Sequence, residues 1–273
     1  MEKIQSAIAK ARAERGDTRV VHKTPPSDRS AGSAENSLSA WDGLLTVEPS
    51  MRRMRAQRIV TLDHGREAAS FDKLRTRMLQ QMQANNWRRV AITSPGARSG
   101  KSTIALNLAF SVSRQTRSRV ILSEMDLRKP SFRKILGLKT DRDFGEVIRG
   151  NAPFEDHAVR LRPNLAVGAL QNPVQHAAER LQDAEWGTTL DMIERQYDPT
   201  VMMFDMPPYQ VSDDVMAFAD KIDCVMIVAA AEHTNMPELD VCEREISNVT
   251  NVLGVVLNKC RYEALDKTYE YYA

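Results

Sequence analysis

The chain has 273 residues, 42% of them hydrophobic, a formal net charge of +2 and three cysteines. That length suits one α/β domain with appendages, or at most two domains, and the apolar share supports a sizeable core. The near-neutral balance gives no whole-protein field for nucleic acid, so no nucleic-acid partner is expected; no 18-residue apolar run is present to span a membrane, and Cys224, Cys242 and Cys260, without Cys-x-x-Cys spacing, read as reduced and structural.

In chain order, residues 1–17 are predicted to hold a short amphipathic helix, with Ile4, Ala7, Ile8 and Ala11 on one face. This start lacks a signal-peptide core, so a cytoplasmic location is expected. Residues 18–58 carry Pro25, Pro26, Pro49 and six serines, and read as a flexible linker. Trp41, Leu44 and Leu45 interrupt it as an apolar island that either docks on the domain or a partner, or lies in a loosely packed loop. Arg52, Arg53, Arg55 and Arg58 form a basic cluster: a solvated face, or a contact for membrane phosphates or an acidic tail.

From residue 59 to 262 strands and helices alternate. A helix with Phe71, Leu74, Met78 and Met82 on one side precedes a strand at 89–93. Further apolar runs follow at 120–122, 201–204, 224–228 and 253–257. Near-continuous apolar strands separated by helices predict an α/β fold with a mostly parallel central sheet flanked by helices. In such sheets ligands bind at the carboxyl ends of the strands. The interval 131–200 says little, and His157 and His176 within it read as structural.

Residues 93–103, Thr-Ser-Pro-Gly-Ala-Arg-Ser-Gly-Lys-Ser-Thr, join the first of these strands to a helix with Ile104, Leu108 and Val112 four apart. A strand, a small-residue turn ending Gly-Lys-Ser, then a helix is the context of a P-loop. The backbone of Gly96, Ala97, Arg98, Ser99, Gly100, Lys101, Ser102 and Thr103 is expected to cradle the phosphates of a nucleotide. The Lys101 ammonium reaches their oxygens and the Ser102 hydroxyl holds Mg²⁺. Pro95 stands where the standard spacing has glycine.

Three acids fall at strand ends. Asp205 follows four apolar residues, the form of a Walker B acid that orients Mg²⁺ or, alternatively, of a strand-end cap. Glu124 and Asp126 lie two apart, on one side of an extended chain. They read as a metal and hydroxyl-activating pair or as a surface acid pair beside Arg128 and Lys129. Asn258 closes the last strand at the same ligand-binding end and is expected to join the loop in binding the nucleotide. Residues 263–273 form a tyrosine-rich tail: with Tyr262, the residues Tyr269, Tyr271 and Tyr272 place four of the six tyrosines within the last twelve residues. They suit modification or insertion into a neighbour's cleft, or pack as a final turn.

P-loop, Asp205-x-Pro-Pro and tyrosine-rich tail together resemble the bacterial tyrosine kinases of polysaccharide biosynthesis, the BY-kinases of the CpsD/CapB type, over about residues 59–273. The family's second Walker motif, Asp-x-Asp-Leu-Arg-x-Pro, is matched at Asp126, Leu127, Arg128 and Pro130, with Glu124 in place of the first aspartate. Its Val-Val-Leu-Asn strand is Val255–Asn258. Its Glu-x-x-Arg-x-x-Arg helix, which helps form a subunit ring, here carries Ala69, Asp72 and Arg75. The resemblance implies a P-loop NTPase fold of the deviant Walker, MinD/ParA-like architecture, with ATP and Mg²⁺ as cofactors. It implies Lys101, Glu124, Asp126 and Asp205 as catalytic residues, and Ser102, Glu124 and Asp205 as metal ligands. It also implies autophosphorylation of the tail tyrosines between subunits of a homo-oligomer. A membrane-bound chain-length regulator would act as activating partner at the inner membrane, in control of exopolysaccharide or capsule polymerisation and export. Two other readings share the fold: a MinD/ParA-like ATPase switch, whose signature lysine position is Gly96 here, and an ATP-binding pseudokinase adaptor.

Overall fold

The computed structural model describes residues 31–260. The predicted helix at 1–17, the first part of the linker and all four candidate acceptor tyrosines lie outside them. The elements in chain order are α1 (Ala31–Gly43), β1 (Leu45–Thr46), α2 (Met51–Ala56), α3 (Ala69–Ala84), β2 (Arg89–Thr93), α4 (Lys101–Ser113) and β3 (Val120–Glu124). Then come α5 (Phe132–Leu136), α6 (Phe144–Ile148), α7 (Phe154–His157), β4 (Val159–Arg162), β5 (Leu165–Gly168), α8 (Ala177–Gln182) and α9 (Ala184–Tyr197). The last are β6 (Val201–Asp205), α10 (Asp214–Phe218), β7 (Cys224–Ala230), α11 (Met236–Ser247) and β8 (Asn251–Asn258).

The strands form one sheet in the order β1-β4-β5-β3-β6-β2-β7-β8. Every pairing is parallel except β4 with β5. All five predicted strands are present, at β2, β3, β6, β7 and β8. Alternation along each strand feeds two cores. Ala91, Ile121, Met202, Phe204, Val225 and Ile227 pack on one face with residues of α6–α11. Val90, Ile92, Val120, Leu122, Val201, Met203 and Met226 pack on the other with α2–α5. Each central strand is covered on both sides, which is why these runs read as continuously apolar. The predicted face of α3 holds: Met78 and Met82 are buried, with Phe71 and Leu74 partly buried beside them.

The linker expectation needs correction over its described part. α1, β1 and α2 all fall between residues 31 and 58, and they pack on the domain. Trp41 is 2% exposed, its indole Nε1 donating to the Tyr197 carbonyl at 2.8 Å and its ring meeting that of Tyr197 edge-on. Leu44 is buried beside it, and β1 extends the sheet along β4. The segment is polar on average, but one tryptophan and one leucine bury enough apolar surface to anchor it. Trp41→Ala is expected to lower unfolding stability by about 3–5 kcal/mol. Denaturant titration checks this, and a loss below about 1 kcal/mol would show that the docked segment contributes little.

Further along, Asn107 on α4 holds the following segment. Its side-chain carbonyl accepts from Val60 N at 2.8 Å and Thr61 N at 3.2 Å, and its amide donates to the Arg58 carbonyl at 3.0 Å. The arginines at 52, 53, 55 and 58 remain exposed, with Arg55 meeting Asp63 at 3.5 Å in an exposed pair. On α3, Asp72 accepts from Arg75 at 3.2 Å, from Ser111 at 2.6 Å and from Arg114, an intramolecular cluster.

Candidate nucleotide site

Residues 94–100 turn from the end of β2 into α4. Ser94 and Ser99 both donate from their hydroxyls to the Gly96 carbonyl, at 2.7 and 3.0 Å, drawing the turn together. The chain after β6 runs alongside, with Tyr209 N bonded to the Ser94 carbonyl at 2.8 Å and Gln210 N to that of Pro95 at 3.1 Å. Pro95, in place of the usual glycine, thus offers a carbonyl to the neighbouring segment. Gly100 sits at φ +88, and a Cβ there would come within 2.3 Å of the Asn258 amide nitrogen. Glycine is required on both counts. No side chain caps the N-terminus of α4, so its first N–H groups and its positive dipole end stay available to an anion.

Lys101, on the first turn of α4, pairs with Asp126 at 3.2 Å, and both side chains are nearly buried. The other Asp126 oxygen accepts from Lys129 N at 3.1 Å. Parallel pairing of β3 with β6 sets Glu124 opposite Asp205. Asp205 is fully buried, and neither of its carboxylate oxygens meets a donor in good hydrogen-bond geometry among the described residues, although the Ser102 hydroxyl lies close by. Burial pushes its pKa up to about 6; the nearby Lys101 charge and Ser102 hydroxyl pull it back in part, and Asp126 raises it.

Two orphaned oxygens on a buried acid, beside a lysine and a serine at an open helix end, are what a small hard cation would satisfy. The donor set therefore fits Mg²⁺, which Ser102 and Asp205 could hold. Among the described residues no group of three or more His, Cys, Asp or Glu side chains could cage a metal alone. Mg²⁺ seldom needs such a cage, because it retains water and takes oxygens from substrate phosphates.

Glu124, expected among the metal ligands, has its carboxylate held by backbone donors. One carboxylate oxygen accepts from Ser131 N and, at 2.8 Å, from Phe132 N at the start of α5; the other accepts from Leu170 N at 2.9 Å. The side chain is one methylene longer than aspartate, and its carboxylate ties β3 to α5 and to the turn after β5. Burial raises its pKa to about 7, against the three N–H donors and with help from Asp205. Arg128, beside the acid pair, grips the buried Asp214 with two bonds of 2.9 and 3.0 Å. Ala97 and Arg98 are exposed on the loop, and Arg98 adopts φ +63. Asn258 meets the loop through the Ser99 carbonyl at 2.9 Å. Lys259, which no motif singled out, reaches the Arg98 carbonyl at 2.6 Å. Its only sequence signal was its place one residue past the end of β8.

Comparison with known proteins places these features in context. The sequence pattern of the CobQ/CobB/MinD/ParA nucleotide binding domain matches residues 90–272. A putative tyrosine-protein kinase CapB of Staphylococcus aureus is 24% identical over 204 residues, covering 74% of this chain and 88% of that protein. A putative tyrosine-protein kinase in the cps region of Klebsiella pneumoniae is 26% identical over 189 residues. That match takes in 67% of this chain but only 25% of the longer protein. The kinase domain of the Escherichia coli tyrosine kinase ETK superposes with a TM-score of 0.64 at 16% identity, over 72% of this chain and 78% of that one, a likeness of fold.

Proposed function

The chain belongs to the CobQ/CobB/MinD/ParA nucleotide-binding family, and from that premise we propose that it is an ATP-dependent protein-tyrosine kinase whose acceptors are its own C-terminal tyrosines. The observation that carries the reading is the Asp205 carboxylate, buried without a partner at the end of β6 beside Ser102 and Lys101. An acid kept in that state has its full coordinating capacity in reserve for a nucleotide-bound cation. The kinship to proteins named as tyrosine kinases directs the phosphoryl group to tyrosine.

In this reading the loop N–H groups and the first turn of α4 bind the ATP phosphates. Ser102 and Asp205 would hold Mg²⁺, which when bound would supply neutralisation of the charge that builds on the transferred group. Lys101 exchanges its partner Asp126 for phosphate oxygens. The exchange frees an Asp126 oxygen to accept the proton of an incoming tyrosine hydroxyl as the phosphoryl group passes from ATP to the phenolic oxygen. Glu124 holds the strand end in place through backbone bonds and does not enter the reaction. The acceptors are Tyr269, Tyr271, Tyr272 and Tyr262 of a neighbouring copy in a homo-oligomer. Each phosphate adds roughly −1.5 to −2 charges, which repels the tail from a site already lined by acids and loosens the assembly. Among the described residues no helix is long and apolar enough to cross a membrane. We assign recruitment and activation of the kinase, for polysaccharide polymerisation and export, to a membrane-bound chain-length regulator.

Incubation with γ-labelled ATP and Mg²⁺ tests the proposal. Label is expected on the tail tyrosines and lost on truncation after Arg261. ATP hydrolysis without protein label would replace the kinase by an ATPase switch, and nucleotide binding without either would leave an adaptor.

A further inference from the structure

We propose that Asn258 and Lys259, at the end of β8, are positioning residues that clasp the nucleotide loop and aim its N–H groups at the phosphates. The inference rests on the nucleotide-binding reading of that loop and concerns what shapes it. The loop contains two left-handed residues, Arg98 at φ +63 and Gly100 at φ +88. A side-chain-bearing residue in that region is sparsely populated and persists only where its surroundings over-determine it. Here the constraint comes from a strand remote in sequence. Lys259 Nζ donates to the Arg98 carbonyl at 2.6 Å, and Asn258 Nδ2 donates to the next carbonyl, that of Ser99, at 2.9 Å.

Peptide geometry converts these two bonds into a statement about donors. In a planar trans peptide the C=O and the following N–H point in opposite directions. Fixing the Arg98 carbonyl toward Lys259 turns the Ser99 N–H away from it. Fixing the Ser99 carbonyl toward Asn258 does the same to the Gly100 N–H. Two consecutive peptides are thereby held by their oxygens, leaving their nitrogens directed to the opposite side, the arrangement of an anion-binding nest. The fit is close: a Cβ at position 100 would lie 2.3 Å from the Asn258 nitrogen, so the clasp requires the glycine it acts upon. β7 fixes the clasp in turn, since β8 pairs with it up to Ala230–Asn258 and Ala231 N bonds to the Asn258 carbonyl at 2.8 Å. The Lys259 ammonium is charged and the Asn258 amide is not, so the two bonds can be dissected separately.

Calorimetric titration of the 273-residue protein with Mg·ADP tests this, with Lys259→Met, Lys259→Arg and Asn258→Ala beside the wild type. The apo melting temperature and hydrogen exchange at the 98–100 amides are followed for each. Loss of one charge-assisted bond predicts a Kd about tenfold weaker for Lys259→Met. Exchange at the loop should quicken, the apo melting temperature should stay within about 2 °C, and Lys259→Arg should restore most of the affinity. Affinity equal to wild type in both Lys259→Met and Asn258→Ala overturns the clasp alone, as does affinity that falls only where the melting temperature falls with it. Failure of the wild type to bind Mg·ADP would overturn the nucleotide reading together with the clasp.

Discussion

Lys101→Met is expected to lower tyrosine phosphorylation by roughly 10²–10³-fold, the usual cost of deleting a preorganised charge at a reacting phosphate. The structure adds a second, opposite-facing consequence. Without nucleotide, Lys101 is the cation against Asp126, and its charge also holds down the pKa of Asp205. Methionine fills much of the lysine's volume but leaves both acids without that charge. Apo stability should therefore drop by about 1–2 kcal/mol near neutral pH, and recover on acidification as Asp205 takes up a proton. Label incorporation at saturating ATP and urea titrations at two pH values would measure the two effects. Wild-type labelling by the variant would remove Lys101 from the reaction. Unchanged apo stability would show that the Lys101–Asp126 contact is energetically idle.

The parts of this site that the sequence displayed are those built from local rules. A strand, a turn ending in Gly100-Lys101-Ser102 and a helix are contiguous, and Asp205 is marked by four apolar residues before it. The five central strands were legible because burial on both faces makes them apolar throughout. What escaped detection depends on contacts distant along the chain. Trp41 reads as an island in a polar stretch until the Tyr197 carbonyl, 156 residues away, is seen to receive its N–H. β4 and β5 are four residues each, and Arg160 and Arg162 break the apolar pattern of the first. Glu124 shows the limit most clearly. Its spacing from Asp126 is correct for a shared acid pair, yet the N–H groups of Ser131, Phe132 and Leu170 decide where its carboxylate goes. Motif spacing locates a Cα, and the chain's other donors determine what the side chain does there.

Asp205→Asn should separate stability from catalysis. Burial pushes the pKa of Asp205 up to about 6 in the folded apo protein, against 3.8 for an exposed aspartate. The folded state therefore holds this proton more tightly than the unfolded chain. Its contribution to stability is complete below pH ~4 and is lost as pH rises through about 6, leaving a penalty of about 3 kcal/mol at higher pH. Asparagine has no charge to desolvate, but its amide inherits the unpartnered position at a cost of about 1–3 kcal/mol. The net expectation at pH 8 is an apo protein of equal or higher stability, by up to about 2 kcal/mol, with the acid-side stabilisation between pH 4 and 6 diminished. Phosphotransfer should fall roughly 10²–10³-fold in the same variant if Asp205 is the carboxylate that holds Mg²⁺. The stabilisation conferred by Mg·ADP should grow with pH through about 6 in the wild type, where metal must compete with a proton, and should be flat in the variant. Melting curves with and without Mg·ADP from pH 5 to 8 would show the difference, and a wild-type ligand shift independent of pH would remove Asp205 from the metal site.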